Sequence, residues 1–283
     1  MKNNLRMLGL VLCMLPMLLH AGTGQDLKQA SQPTQEKNAG SGATIPAGTI
    51  LPVSLNSTLR SDKSGSGAVI TATVMQDVPL GSGETLRKGS KVTGRVVDAT
   101  TPGKGSDESK ISFQFDQVQL GNQTIPITTQ LRAVASRSAV LAATPQLTSP
   151  DYSDNQIQIG GDQISYGEGG PVMVGEQAVG QYTRQGVLAY VDQDSGTPSR
   201  DTINDHVHPQ AFWLFSVNAH GAYGFDDLTI PQSGRTKPLG EVTLASSSKA
   251  VKLDKGSAML LRVDGSGPEA AQARTTPSRE IGQ

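Results

Sequence analysis

The sequence predicts an all-β fold, a small β-barrel or sandwich with a long irregular insertion and few helices. Three observations point there. Charged residues make up only 17% of the 283-residue chain, against the roughly 25% usual for soluble domains, and helical surfaces are built mainly from Glu, Lys, Arg and Ala. Thirty-two glycines and sixteen prolines punctuate short apolar runs about every ten residues from Thr44 onward, which is the spacing of strands joined by turns. Ile111, Phe113 and Phe115 alternate with Ser112, Gln114 and Asp116, the period of a strand with one buried and one wet face.

The N-terminus reads as a secretory signal peptide over residues 1–21. Lys2 and Arg6 precede an apolar run from Met7 to Leu19, and Ala21 and Gly22 supply small residues near a cleavage point. Cleavage is expected after Ala21, with Gly24 as the alternative. Retention as a membrane anchor is the rival reading, but the run is shorter than the roughly 20 apolar residues of a spanning helix and contains Pro16. The single cysteine, Cys13, lies inside this run, so thiol catalysis and cysteine-ligated zinc are excluded for the mature chain. Residues 22–43, rich in Gln, Ser, Lys and Gly, are expected to be a disordered linker.

Residues 44–136 form the first part of the expected barrel, with strands at 50–55, 68–76, 91–99, 110–120 and 123–133. Gly121-Asn122 joins the last two, because glycine at the first loop position permits the positive φ of a type II′ turn. Residues 137–182, with Gly-Gly, Gly-Glu-Gly-Gly and scattered Gln and Asn, are expected to be an irregular insertion in which only Val172 to Val174 suggests a strand. Residues 183–264 return to β structure at 186–191, 211–217 and 259–263, the middle run being apolar enough for burial on both faces, with a helix turn as its alternative. The tail, residues 265–283, is polar and expected to be disordered.

The stretch from Ile45 to Ala99 carries an ordered set of features: Ile45, Pro46, Gly48 and Thr49 at its start, Gln76 and Asp77 within Val74 to Val78, and Gly89, Ser90 and Gly94 within Lys88 to Gly94. Phe113 to Asp116 follows as a strand with an aromatic and an Asp. In this order they resemble the C-terminal barrel domain of TrbI/VirB-type scaffold proteins of conjugation and type IV secretion. The segment from Lys252 to Val263 resembles the closing strand of that barrel. The resemblance covers residues 44–136 and 249–263, about a third of the chain, and residues 137–248 have no counterpart in it. It implies a non-catalytic structural or assembly role in the cell envelope, with the named residues forming the fold.

The net charge of −1 offers no basic face, so nucleic acid is not an expected partner. Envelope proteins or further copies of the chain are, with membrane contact open but no spanning segment after cleavage. The expected location is the periplasm, the outer envelope or the exterior. No cofactor is expected, and the chain is not expected to be an enzyme.

Two rival functions have named residues. A metal-dependent enzyme would use His206, His208 and His220, with Asp201 or Asp205 as oxygen ligands, although exposed loop histidines are commoner than such a site. A glycan- or peptide-binding module would use Trp213 and the tyrosines Tyr152, Tyr166 and Tyr182 of the insertion, while Phe212, Trp213 and Phe215 together read as core. Asp192, Asp194 and Asp201 match a calcium loop only in part, with Ser195 and Gly196 where a ligand is needed. Neither a Gly-x-Ser-x-Gly elbow nor a phosphate loop is present, since Gly103-Lys104 is followed by Gly105.

Overall fold

The structure, a computed structural model, describes residues 44–81, 83–102, 107–144, 155–161, 164–192, 197–198, 208–247 and 249–267. The expectations for the leader, the linker, the tail beyond 267, Tyr152, His206 and the candidate calcium and phosphate loops lie outside these residues. Among the described residues no helix is long and apolar enough to cross a membrane.

The fold is mostly β, with a closed six-stranded antiparallel barrel and additional strands. In chain order the elements are β1 (Ile50–Leu55), β2 (Leu59–Arg60), β3 (Val69–Val74), β4 (Val78–Pro79), β5 (Thr85–Leu86), β6 (Lys91–Thr100), β7 (Ser109–Leu120) and β8 (Gln123–Ala135). They are followed by α1 (Arg137–Ala143), β9 (Asn155–Ile157), β10 (Ile164–Tyr166), β11 (Pro171–Val174), β12 (Gln177–Thr183), β13 (Gly186–Ala189) and β14 (Gln210–Trp213). The last five are β15 (Gly221–Tyr223), β16 (Leu228–Ser233), β17 (Val242–Ser246), β18 (Lys252–Leu253) and β19 (Ala258–Ser266).

The barrel runs β8-β19-β1-β3-β6-β7 and closes where β7 pairs with β8. Closure pairs the backbone of every barrel strand on both sides over part of its length and so removes sheet edges. Alternation sends Leu51, Val53 and Leu55 of β1, Ile70, Ala72 and Val74 of β3, and Met259, Leu261 and Val263 of β19 into one core with Phe113 and Phe115. The two phenylalanine rings meet edge to face, 5.8 Å between centroids, the arrangement their quadrupoles favour. Gly94 has a packing reason: a Cβ there would lie 2.0 Å from the Gln114 carbonyl oxygen, so β6 and β7 approach at the register shift between Thr93 and Gly94 only without a side chain. The β7–β8 turn has Gly121 at φ 56, while Asn122 is not among the residues of positive φ, the sign pattern of a type II′ turn.

Beyond the turn β7 and β8 diverge. β17 and then β16 add to β7, and β15 runs parallel to β8. β19, last of the described strands, sits between β1 and β8, so strands more than 120 residues apart in the chain complete one barrel.

Residues 137–182, expected to be irregular, contain α1 and four strands. They belong to a second, six-stranded antiparallel sheet in strict chain order, β9 to β14. The expectation fails because these strands are three to seven residues long, and their Gly, Gln and Ser content hides the alternation that longer strands display. The strand expected over 211–217 ends at Trp213, where φ is 51 and the backbone turns back, Phe215 N–H donating to Phe212 O. Before that point it is buried on both faces: Ala211 joins the barrel core and Phe212 a second core. The second core lies between the new sheet, through Val172, Val179 and Val187, and the outside of the barrel, through Ile50, Ala133, Ala135, Ala258 and Leu260.

Candidate functional site

Three of the resemblance motifs map to places where the barrel is locked. The first is Ile45 to Thr49, a turn with Gly48 at φ 85. Gly48 N–H donates to Val263 O, Val263 N–H to Thr49 O, and Thr49 to Pro46 O through both its N–H and its hydroxyl. Ile45, buried in the barrel core, exchanges hydrogen bonds with the Ser266 hydroxyl. The turn therefore latches the first strand to the last. The second is Gly89-Ser90, a turn at φ 91 for Gly89 whose Gly89 N–H and Ser90 carbonyl pair with Val74.

The third, Gln76-Asp77, is a clasp between the barrel and the second sheet. The ladder between β13 and β14 shifts register between Val187 and Leu188, and a bulge of this kind leaves backbone groups without ladder partners. Gln76, 1% exposed, reaches across from the barrel and bonds both strands at the residue pair next to the shift, Val187 and Trp213. Its Nε2 donates to Val187 O at 3.0 Å, and its Oε1 accepts from Trp213 N–H at 2.7 Å. The primary amide is suited to this because it carries a donor and an acceptor on one carbon. Trp213 can hold a φ that bulky residues rarely adopt because this bond and the packing around it fix the backbone.

Asp77 extends the clasp. Its N–H donates to Gln185 Oε1 at 2.6 Å, and its carboxylate accepts from Lys88 N–H and from Arg87. Burial opposes its charge, but these bonds outweigh burial and hold the carboxyl below the usual carboxylate range. A cleft of about 320 Å³ opens beside it, lined by Glu168, Thr183 and Arg184; Arg184 donates to Glu168 at 2.8 Å on the exposed rim.

Two further clasps escaped the sequence reading. Gln210 accepts from Ile50 N–H at 2.9 Å through Oε1 and donates to His208 O through Nε2, which satisfies the leading N–H of β1. Arg132, 7% exposed, sits where the β8–β19 register shifts. It donates to Val217 O at 2.6 Å and Ala219 O at 3.2 Å and lies 5.4 Å from the centroid of the Phe212 ring. Desolvation, with Arg262 and Arg235 nearby, lowers its pKa to about 10. The one available signal was an arginine inside the otherwise apolar end of a strand, Leu131 to Ala135.

The remaining candidates are dispersed. The His208 ring packs beside Gly81, whereas His220 Nδ1 is 2.7 Å from Asn218 O and the His220 backbone N–H donates to the Tyr223 hydroxyl. Among the described residues no three His, Cys, Asp or Glu side chains gather as a metal site would require. Tyr182, expected at an interface, is instead buried in the second core, because the bulge at Val179 in the ladder with β11 interrupts the alternation of β12 and turns Val179 and Tyr182, three residues apart, to the same side. Tyr166 ends β10. Trp213 is half-buried against the second core.

No family model matches the chain, and no curated protein matches it.

Proposed function

We propose that this chain is a non-catalytic, exported envelope protein with a structural or assembly role, resembling the barrels of TrbI-type secretion scaffolds. The observation that supports this reading is the way the barrel is closed. The segment resembling a closing strand seats between β1 and β8, and the resemblance motifs lie at the latch and the clasp, where their hydrogen bonds tie barrel strands to one another and to the second sheet. The buried clasps join a second sheet to the barrel, so the molecule offers other proteins a stiff body. β9 and β16 are end strands of their sheets, and strand ends are where backbone groups are free to pair with another chain.

The test is size-exclusion chromatography with light scattering on protein extracted from its native envelope and on recombinant full chain. A ring-sized assembly in the native extract is the expected result. A monomer in both preparations, with no envelope protein co-purifying, overturns the assembly role.

A further inference from the structure

One cavity lies away from the clasps, at the end of the barrel where α1, the segment after β15 and the β18–β19 turn converge. Its volume is about 380 Å³, within the roughly 300–1,000 Å³ range of small-ligand sites. The surrounding groups differ sharply in character. Leu141, 57% exposed, is one of the few large apolar side chains left in solvent among the described residues, and Phe225, partly buried against the barrel core, lies in the same wall.

The polar part of the wall has unspent capacity. Ser257 is fully buried, and its hydroxyl has no hydrogen-bond partner in the protein, an arrangement that costs stability unless something bonds it. Lys252 and Asp254 neutralise each other at 2.9 Å. Arg137 is thus the uncompensated cation of the lining, its side chain lying along Gly256 of the turn. The hydroxyls of Ser136 and Ser138, 2.8 Å apart, stand beside it.

We propose that this cavity is a binding site for the C-terminal residue of a partner peptide, one that ends in an apolar side chain. The α-carboxylate takes the Arg137 guanidinium, which suits a carboxylate through paired N–H donors, and a serine hydroxyl. The apolar side chain covers Leu141 and Phe225. Charge complementarity selects this occupant: a single carboxylate balances the single unpaired cation, and an apolar group next to it matches the exposed leucine. The site does not depend on the assembly reading, since one copy of the chain contains all of it.

The probe is a fluorescein-labelled Gly-Ser-Gly-Leu peptide, with a free C-terminal carboxylate or as the C-terminal amide, titrated by fluorescence anisotropy against the full chain. The free acid is expected to bind at least about tenfold more tightly than the amide, the effect of one charge-assisted pair. Arg137→Gln, on an exposed side chain, should abolish that preference with an unchanged melting temperature, Arg137→Lys should keep part of it, and Leu141→Ser should weaken both peptides. Lys237→Gln, outside the lining, should change nothing. Equal affinity of acid and amide, no effect of Arg137→Gln, or no binding of either peptide up to about 1 mM overturns the proposal.

Discussion

The barrel and the second sheet solve the same problem, the pairing of backbone polar groups, in opposite ways. The barrel closes on itself: its six strands, six to thirteen residues long, find ladder partners within the ring, and its interior is filled by its own side chains. The second sheet is open, its strands are three to seven residues long, and its bulge is completed by a barrel glutamine. One wall of its core is barrel surface, where Ala133, Ala135 and Ala258 are small enough for the sheet to approach. Closure makes one unit self-sufficient, whereas openness makes the other a dependant of its neighbour.

Damage to the barrel should therefore unfold everything, while damage to a clasp should loosen the second sheet alone. The largest effect is expected from Phe113→Ala, which empties a fully buried position in the barrel core and should cost about 3–5 kcal/mol. Urea unfolding followed by both far-ultraviolet dichroism and Trp213 fluorescence should show one shifted, coincident transition. If Trp213 fluorescence moved and the dichroism midpoint did not, the asymmetry between the two units would be wrong.

A smaller and more local effect is expected from Gln76→Ala. It leaves Trp213 N–H and Val187 O without their partner, at a cost of about 1–3 kcal/mol. Amide hydrogen exchange should quicken in β13 and β14 while β1, β3 and β19 keep their protection. Uniform loss of protection would instead mean that the barrel needs the sheet as much as the sheet needs the barrel.

The smallest effect concerns pH. Burial lowers the pKa of His220, and the nearby Arg132 and Arg235 add to this against the opposing bond to Asn218 O. A folded-state pKa below the unfolded value means that the unfolded chain binds the proton more readily. Stability from this group is complete above the unfolded pKa, about 6.5, and declines as pH falls through that value toward the lower folded one. His220→Gln should flatten the melting-temperature profile between about pH 5 and pH 7, and an unchanged slope would assign the acid sensitivity elsewhere.

How far the sequence was legible follows the same division. The barrel strands stand out because they are long enough for period-two alternation to repeat, as in Ile111 to Asp116, and because polar turns such as Gly121-Asn122 separate them. In β9 to β12 a period of two is sampled once or twice per strand, and glutamine and glycine blur it, so the same physics leaves no readable pattern. The site residues divide likewise. Gln76 and Asp77 were singled out as fold-forming through a resemblance, but their partners were not named, and neither Gln210 nor Arg132 stood out.

The all-β class, the positions of the barrel strands and the absence of a cysteine after residue 13 can be read along the chain, because composition, alternation and turn chemistry act over a few neighbouring residues. That β19 completes the ring between β1 and β8, that Tyr182 is core rather than surface, and that Gln76 bonds across to Val187 and Trp213 emerge from the folded arrangement. Each of these is a contact between residues far apart in the chain. Such contacts depend on which faces meet once closure and packing have been satisfied together, and local preferences along the chain carry no record of that outcome.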